Sequence, residues 1–399
     1  MASSKEIIEV TEQFGAHNYH PLPVVVHRAQ GVWVWDCEGK KYLDFLSAYS
    51  AVNQGHCHPA IIQTLKDQAD RVTLTSRAFH NDQLGPFLKE VCQLAGMEMA
   101  LPMNTGAEAV ETAVKTARKW GYTHKKVAEN QAEIVCCSDN FHGRTTTVIS
   151  FSSEPQYKEG FGPFTPGFKL IPFGDADALE KAIGPNTVAF LVEPIQGEAG
   201  VVVPPAGYLK RVREICTRHK VILILDEIQT GLGRTGKMFC YEHDGIRPDI
   251  LVLGKALSGG VLPVSVVLSS REYLGVFKPG DHGSTFGGCP LGAAVARTAI
   301  RVLVEEKLVQ RAAEMGEYFK KRLESLIGSK VESVRGKGLL LAAVMKESAG
   351  PARKFCEQMM DKGVLCKETH QHIIRFAPPL VISKEDLDWA FDRIAQVLG

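Results

Sequence analysis

A lysine stands at the end of an apolar stretch in the middle of the chain. The segment DILVLGKALSGG, residues 249–260, reads as a buried strand that runs into Lys255 and then into small residues. An unpaired ammonium group is costly to bury, so such a lysine must reach water, pair with a carboxylate or take part in chemistry. Its aliphatic stem could simply carry the amine to solvent, and other residues must decide between these alternatives.

Three more polar features follow apolar runs. The segment ILILDEIQTGLGRTG brings Asp226 to the end of a strand, DNFHGRTT places Phe141 after another strand, and MNTGAEAVETAVK places Thr105 and Gly106 at the start of a helix. A carboxylate in an apolar setting needs a donor or cationic partner. Free N–H groups at a helix N-terminus suit an anion such as phosphate. Each feature alone also has a plain structural explanation, such as a helix cap or a surface loop.

The four features together predict a cofactor site. An acid that keeps a pyridinium nitrogen protonated, a lysine that forms a Schiff base, an aromatic ring that stacks and a helix N-terminus for phosphate are what a protein needs to bind pyridoxal phosphate. Open α/β sheets place their ligands at the carboxyl ends of strands, and all four features follow predicted strands. We therefore expect a pyridoxal-phosphate site at one edge of a sheet.

The elements that must position these residues form an α/β pattern. Apolar runs such as AEIVCCS, TVAFLVEP, KVILILDE, DILVLGK and PVSVVLSS alternate in part with amphipathic helices, which predicts a mainly parallel sheet covered on both faces. The N-terminal part predicts a hairpin turning at Glu38 and Gly39, and the part after residue 290 reads as α+β. We predict a large domain, residues 46–290, a smaller domain from residues 1–45 and 291–399, and a cleft between them.

Bulk composition favours a small-molecule partner. The 399 residues include 46 Lys plus Arg and 45 Asp plus Glu, a net charge of +1, so no global field attracts nucleic acid or an anionic membrane. Ten irregularly spaced cysteines, two of them adjacent at Cys136 and Cys137, indicate buried thiols in a reducing compartment and no disulfide framework. Without a signal peptide or a long apolar run, we expect a soluble cytoplasmic protein, or a mitochondrial matrix protein if a presequence has been removed.

The sequence resembles the class III aminotransferases of the ornithine type, which are pyridoxal-phosphate enzymes of the aspartate-aminotransferase fold. The resemblance covers essentially the whole chain and rests on the segments FGAHNYHPLPVVV, FLSAYSAVNQGHCHP, LTSRAF, LPMNTG, VEPIQGEAGVVVP, DEIQTGLGRTG, LGKALSGG, HGSTFGG, VRGKGLL and IIRFAPPLVI. These segments are more specific for the cofactor and the reaction type than for the substrate.

The resemblance implies a role for each cofactor residue. Lys255 would be the Schiff-base lysine and proton shuttle, and Asp226 would pair with the pyridine nitrogen. The other expected contacts are Phe141 on the ring, Gln229 on the phenolic oxygen, the Gly106 and Ala107 backbone on the phosphate, with Thr105 and Ser284 completing the set. Thr285 would reach the phosphate held by a partner subunit, which implies a homodimer with active sites at the interface.

The resemblance also implies substrates. The substrate residues would be Tyr19, Tyr49, Arg144, Glu198 and Arg375. Tyr19 and Arg144 would hold the α-amino acid end of ornithine so that the δ-amino group reacts, and Arg375 would bind the α-carboxylate of glutamate or 2-oxoglutarate. Relatives acting on γ-aminobutyrate or acetylornithine as a rule lack an equivalent of Tyr49. Without the family, Arg375 would be interpreted as a surface ion pair.

The implied activity is transfer of the δ-amino group of ornithine to 2-oxoglutarate by a ping-pong mechanism. The products would be glutamate and glutamate 5-semialdehyde, which cyclises. The alternatives are an aminotransferase for another ω-amino substrate and a non-catalytic binding protein of the same fold, against which the intact Lys255 argues.

Some residues depart from the family pattern. His142, Phe286 and Cys289 stand where other residues are common and could alter the cofactor surroundings or the partner contact, although we expect none of them to touch a residue with a chemical role. The segment GHCHP places His56 and His58 in one turn, but neighbours at i and i+2 rarely complete a tetrahedral metal site. No metal is predicted.

Overall fold

The computed structural model describes residues 2–399. The strands are β1 Val26–Gln30, β2 Trp33–Asp36, β3 Lys41–Asp44, β4 Met99–Met103, β5 Glu133–Cys137, β6 Phe168–Ile171, β7 Thr187–Val192, β8 Ile222–Asp226, β9 Ile250–Leu253, β10 Ser265–Ser269, β11 Val331–Lys337, β12 Leu340–Met345, β13 Val364–Leu365, β14 Lys367–Thr369 and β15 Ile373–Phe376. The helices are Ser4–Phe14, Pro59–Ala69, Leu84–Ala95, Gly106–Trp120, Thr146–Ser150, Pro155–Lys158, Ala176–Ala182, Tyr208–His219, Arg271–Leu274, Pro290–Glu305, Leu308–Glu324, Ala352–Asp361 and Lys384–Leu398. Short 3-10 turns occur at Cys240–His243, Lys255–Ser258 and Glu347–Ala349, and a π-helical turn at Gly121–Lys125.

A seven-stranded sheet in the order β4-β10-β9-β8-β7-β5-β6 forms the centre. All its neighbouring strands are parallel except that β10 runs antiparallel to both β4 and β9. Every residue of β7, β8 and β9 is buried, which explains why these strands are apolar throughout. The predicted α/β fold with a mainly parallel sheet is confirmed.

Helices cover both faces of this sheet. Cys136 belongs to the apolar cluster that includes Ala113 of the helix Gly106–Trp120, whereas Cys137 belongs to the cluster that includes Val212 of the helix Tyr208–His219. The two adjacent thiols therefore point to opposite faces, as the alternation of side chains along a strand predicts. All ten cysteines are free.

Two smaller sheets flank the centre. One has the order β1-β2-β3-β13, in which β13 near the C-terminus pairs in parallel with β3 near the N-terminus. The other has the order β11-β12-β15-β14 and is antiparallel. This shared sheet supports the prediction that both chain ends build one smaller domain, while the boundaries at residues 45/46 and 290/291 stay a prediction.

Arg234 ties the large sheet to the smaller domain. Its guanidinium is fully buried and donates to the carbonyls of Leu339 and Pro378 and to the side chain of Asn53. Burial lowers the pKa of Arg234 to about 9. A cation buried in this way needs all its acceptors, so the loop after β8 is fixed against the turn between β11 and β12. Within residues 2–399, no helix is both long and apolar enough to cross a membrane.

The turn between β11 and β12 generates a stability prediction. Gly338 has φ +54, and a Cβ there would lie 2.3 Å from the carbonyl carbon of Thr235 and 2.6 Å from the nitrogen of Gly236. Gly338→Ala should therefore lower the free energy of unfolding by about 1 kcal/mol for the left-handed backbone and by roughly 2–3 kcal/mol more for the overlap. Chemical denaturation of the variant and of the wild type measures the difference in their free energies of unfolding.

Gly245 provides a matched control, because it has φ +63 and its Cβ would meet no atom within 4 Å. Gly245→Ala should cost only the backbone part, about 1 kcal/mol. Equal losses for the two variants would show that the backbone contact at Gly338 is not tight.

Candidate active site

A cavity of about 200 Å³ lies at the carboxyl ends of the central strands. The residues that line it are Gly106, Ala107, Phe141, His142, Gly143, Glu193, Glu198, Asp226, Ile228, Gln229, Thr230 and Lys255. They follow β4, β5, β7, β8 and β9, so the predicted convergence of these segments at one edge of the sheet is observed.

Lys255 begins the 3-10 turn that follows β9, next to the end of β8 that carries Asp226. Its φ is +44, an unusual value for a lysine, and strained backbone of this kind gathers at functional sites. Within residues 2–399 its amine makes no hydrogen bond or ion pair. Burial lowers the pKa of Lys255, and Arg375 adds to that effect while Glu198 opposes it. The amine is therefore closer to its nucleophilic, neutral form than a surface lysine is.

Asp226 finds its partner in His142. The Nδ1 atom of His142 lies 2.7 Å from Asp226 Oδ2, and the backbone N–H of Ile228 donates to Asp226 Oδ1 at 3.0 Å. Burial would lower the pKa of His142, but the hydrogen bond that it makes with the Asp226 carboxylate outweighs burial and raises that pKa. The prediction that His142 touches no residue with a chemical role is wrong. Residue 142 follows Phe141 on the loop after β5, and this loop reaches the end of β8 although β7 lies between the two strands.

Glu193 is a buried acid of the site that was not predicted from the sequence. It follows β7, and its carboxylate accepts from the N–H of Phe141 at 2.9 Å and of Gly197 at 3.4 Å. Burial raises the pKa of Glu193 to about 7, with the charge of Asp226 adding to that shift and His142 reducing it. The signal available in the sequence was the acid at the end of the apolar run TVAFLVEP.

The helix Gly106–Trp120 opens with a capping box, in which Thr105 accepts from the Glu108 N–H and Glu108 accepts in return. The first-turn N–H groups of Gly106 and Ala107 remain beside the cavity. Gly143, at φ +130, lets the loop after β5 approach closely, because a Cβ there would lie 2.8 Å from the Ala107 Cβ. This arrangement suits a phosphate group.

Arg375 reaches the same region from the smaller domain. It lies on β15, is 1% exposed, and its Nη1 contacts Glu198 Oε1 at 2.6 Å. Burial would raise the pKa of Glu198, but Arg375 and Lys255 outweigh it and hold that pKa below its ordinary value. The Nε and Nη2 atoms of Arg375 are buried and have no acceptor within residues 2–399. Two donors without partners point to a ligand carboxylate.

Gln229 connects this pair to Tyr49. Its Nε2 donates to Glu198 at 3.3 Å and to the Tyr49 carbonyl at 3.4 Å. The side chain fits because residue 197 is glycine, where a Cβ would lie 1.4 Å from Gln229 Oε1. The Arg375 guanidinium stands 5.3 Å from the centre of the Tyr49 ring.

Tyr19 does not line the first cavity. It is 71% exposed and lines a second cavity of about 460 Å³, to which Tyr49, Asp44 and His56 also belong. Tyr49 therefore lies between the cavity that contains Lys255 and the cavity that contains Tyr19.

Arg144 lies over aromatic rings. Its guanidinium carbon is 3.5 Å from the ring centre of Tyr157 and 5.5 Å from that of Phe141, and the two rings meet edge to face. Arg144 has no hydrogen-bond or ion-pair partner within the described part of the chain, so its donors face outward. Tyr157 was missed in the sequence because its helix Pro155–Lys158 has only four residues and no chemical motif.

The remaining predicted positions lie beside the site or at the surface. Ser284 accepts from Asn104 Nδ2 at 2.7 Å, whereas Thr285 and Phe286 are exposed. Cys289 caps the helix Pro290–Glu305 by accepting from the Gly292 N–H at 3.3 Å. No cluster of three or more His, Cys, Asp or Glu side chains suited to a metal occurs between residues 2 and 399.

A family model described as aminotransferase class-III matches residues 14–398. The chain is 61% identical over 398 residues to the ornithine aminotransferase of Brevibacillus brevis, an alignment that covers 100% of this chain and 99% of that protein. The crystal structure of the ornithine aminotransferase from Toxoplasma gondii is similar with a TM-score of 0.98 and 44% identity, covering 100% of this chain and 95% of the other. An acetylornithine aminotransferase structure from Elizabethkingia anophelis has a TM-score of 0.91 and 48% identity, covering 100% and 99%.

Glu193 predicts how stability depends on pH. Its pKa is about 7 in the folded protein and about 4.3 in an unfolded chain. Between these values the folded chain keeps a proton that the unfolded chain has lost, so the free energy of unfolding falls as pH rises. Glu193→Gln removes this loss, and its stability relative to wild type should increase on the order of 3 kcal/mol between pH 5 and pH 8. Denaturant titrations at several pH values measure the difference.

Glu227 serves as a positive control, because burial raises its pKa to about 8 while it accepts from the N–H groups of Cys240 and Tyr241. Glu227→Gln should show the same sign over a window that extends to higher pH. If the free energies of unfolding of Glu193→Gln and wild type changed with pH in parallel, the pKa of Glu193 would not be raised.

Proposed function

The chain belongs to the class-III aminotransferases, and we propose that it transfers the δ-amino group of ornithine to 2-oxoglutarate. The products are glutamate and glutamate 5-semialdehyde, which cyclises. The observation that carries this proposal is the ion pair between Arg375 and Glu198 beside the Tyr49 ring. Arg375 can bind the carboxylate of a substrate, and Glu198 can occupy Arg375 when the substrate has no carboxylate to offer there. The ornithine aminotransferase of Brevibacillus brevis, similar over the full length, supports the same substrate.

The cavity fits pyridoxal phosphate, the cofactor of this family. Lys255 would hold its aldehyde carbon, Asp226 its ring nitrogen and Phe141 the face of its ring, while Gln229 would donate to the phenolic oxygen. The phosphate would be held by Gly106 and Ala107, with Thr105 and Ser284 beside it. When bound, this group supplies an electron sink for the carbanion formed at the substrate carbon.

The chain's own residues then handle charge and protons. His142 lies 2.7 Å from Asp226 and is hydrogen-bonded to it, and this contact orients the Asp226 carboxylate for the ring nitrogen. The lowered pKa of Lys255 allows its amine to accept a proton from the substrate carbon and return it at a neighbouring atom. Asp226 and His142 are buried, whereas Lys255 is half-buried at the wall of the cavity.

The donor's outer end is bound at the mouth of the site. We propose that Tyr19 and Arg144 bind the α-amino acid end of ornithine, with Tyr49 in the wall of the cavity that Tyr19 lines. Tyr157 holds the Arg144 guanidinium over its ring at 3.5 Å, which leaves the donors of Arg144 for a carboxylate.

Arg375 must serve two half-reactions. Ornithine reacts at an amine with no adjacent carboxylate, whereas glutamate and 2-oxoglutarate carry a carboxylate at the reacting carbon. We propose that Glu198 occupies Arg375 during the ornithine half-reaction and yields it when the second substrate arrives. The 2.6 Å contact and the buried free donors of Arg375 support this competition.

A homodimer is part of the proposal. Thr285 is exposed and follows Ser284, which accepts a hydrogen bond from Asn104, two residues before Gly106 at the cavity, so Thr285 is available to the phosphate held by a second copy. A cytoplasmic location likewise remains a prediction.

The main alternative is an enzyme for acetylornithine, because the Elizabethkingia anophelis enzyme of that name is 48% identical. A donor panel decides between them. With 2-oxoglutarate as acceptor, ornithine should give a kcat/KM at least about tenfold above acetylornithine and γ-aminobutyrate, since a polar site left unpaired discriminates strongly. The assay monitors the cyclised semialdehyde.

Lys255→Ala is the control for this panel. It should retain the fold but lose turnover by several orders of magnitude, because a covalent catalyst and proton shuttle is removed. Preference for acetylornithine in the wild type would replace the proposed substrate, and normal turnover in Lys255→Ala would contradict the catalytic assignment.

Glu198→Ala tests the competition for Arg375. The glutamate half-reaction should become faster, by up to about 2 kcal/mol or roughly 30-fold, because a desolvated competitor is removed. The ornithine half-reaction should slow or shift toward the α-amine. Single-turnover absorbance measures each half-reaction separately.

Two variants control for this test. Glu198→Gln keeps the shape but removes the charge and should act in the same direction. Asp249→Ala breaks the ion pair of 2.8 Å between Asp249 and Arg213 at the amino end of β9. Because this end of the strand is opposite to the cavity, the substitution should affect both half-reactions equally. Equal effects of Glu198→Ala on the two half-reactions would rule out the exchange of partners.

A further inference from the structure

The segment Ser47–Ser50 forms a left-handed turn. Its four φ values are +52, +47, +59 and +73, and none of the four residues is glycine. Left-handed backbone costs roughly 1–2 kcal/mol per residue. Such a run persists only where surrounding contacts determine the conformation, and it gathers at functional sites. The third residue of the turn is Tyr49.

Asp44 holds the start of this turn. One oxygen of its carboxylate, Oδ1, accepts from the N–H of Leu46 at 2.8 Å and of Ser47 at 2.9 Å. The Ser47 hydroxyl donates to the Ala377 carbonyl. The turn is thus attached to the end of β3 on one side and to the strand end after β15 on the other.

His56 holds the other oxygen of Asp44. Its Nε2 lies 2.7 Å from Asp44 Oδ2, and since a carboxylate only accepts, the ring donates. The His56 backbone exchanges two hydrogen bonds with Gly31, of 2.7 and 2.9 Å, which fixes the position of the ring. The side chains of His56 and Asp44 are only 19% and 10% exposed. The Asp44 carboxylate is therefore hydrogen-bonded to the turn through Oδ1 and to His56, whose position is fixed, through Oδ2.

A shift of the turn would move two contacts of the active site. The Tyr49 carbonyl accepts from Gln229, and its ring faces the Arg375 guanidinium. His56 and Asp44 line the same cavity as Tyr49 and Tyr19. Neither His56 nor Asp44 lines the cavity that contains Lys255.

We propose that Asp44 and His56 are positioning residues that fix the Tyr49 ring and thereby set the preference among amino donors. The proposal rests on the proposed function, in which Tyr49 faces the outer end of ornithine. Loss of the His56 hydrogen bond frees the Asp44 carboxylate to rotate, and the strained turn relaxes away from Arg375. Donors without an α-amino acid end, such as γ-aminobutyrate, depend less on Tyr49 and are affected less.

The test compares holoenzyme variants at position 56. His56→Phe keeps an aromatic ring but removes the donor, and the ratio of kcat/KM for ornithine to that for γ-aminobutyrate should fall about tenfold, mainly through a higher KM for ornithine. His56→Gln restores a donor and should bring the ratio back to within about twofold of wild type. Tyr49→Ile gives the reference for complete loss of the ring.

His58 provides the matched control. It lies two residues from His56, and its Nε2 makes a similar contact of 2.9 Å with Glu306. His58→Phe should leave the donor ratio unchanged. A purely structural role for His56 would instead lower the unfolding midpoint of His56→Phe without changing its donor ratio.

Hydrogen exchange reports on the turn independently of turnover. The amides of Leu46 and Ser47 should exchange at least about tenfold faster in His56→Phe than in wild type and at the wild-type rate in His58→Phe. If wild type fails to use ornithine, the proposed function falls while the exchange result still decides whether His56 holds the turn. An unchanged exchange rate, or an unchanged donor ratio in an active His56→Phe enzyme, would overturn the positioning role.

Discussion

The ion pair between Arg375 and Glu198 is the interaction on which the arrangement of the active site depends. Arg375 belongs to the smaller domain and Glu198 follows a strand of the central sheet, so the pair joins the two units at the cavity. Arg375 is almost fully buried, and removing its carboxylate partner would leave a buried charge uncompensated. The pair satisfies only part of the guanidinium, because Nε and Nη2 have no acceptor within residues 2–399, and in the proposed function these donors bind the substrate carboxylate. The same contact therefore closes the domain interface and prepares the site.

Much of the fold could be predicted because burial on both faces leaves a clear pattern. β7, β8 and β9 are apolar at every position, and a strand of that kind is recognisable without its neighbours. No apolar run indicated β4 or β6, and a strand at β4 was implied only by the helix start that follows it. They lie at the two edges of the sheet, where Pro102 and Lys169 interrupt the apolar pattern because one side of each strand lacks a neighbour. The reversed direction of β10 also left no signal, since direction is set by connections that periodicity does not encode.

The site could be predicted in part, for a related reason. Lys255 and Asp226 stand at ends of strands that are themselves recognisable, and their proximity follows from the strand order. The contact of His142 with Asp226 joins the loop after β5 to the end of β8, although β7 lies between these strands, and no spacing along the chain predicts it. Tyr157 lies in a helix of four residues with no chemical motif, whereas Glu193 had a signal in the acid that ends the apolar run TVAFLVEP. The resemblance to a family supplied Arg375, which the residues alone did not distinguish from a surface ion pair.

Strain and charge are concentrated in the same small region. Lys255 and the turn Ser47–Ser50 adopt left-handed backbone. Lys255 lines the same cavity as Gln229, and Tyr49 of the turn accepts a hydrogen bond from Gln229. At Lys255 the left-handed backbone follows β9, whose residues are all buried, and at Ser47–Ser50 it is held by the hydrogen bonds that Asp44 accepts and that Ser47 donates. A relaxed backbone at Tyr49 would be easier to fold but would leave the ring free to turn. The Asp44 carboxylate at the end of β3 is hydrogen-bonded to His56 and to the turn, and it thereby fixes the Tyr49 ring beside Arg375. In the proposed function, the determinants of donor specificity thus extend from the cavity into the hydrogen bonds that support its wall.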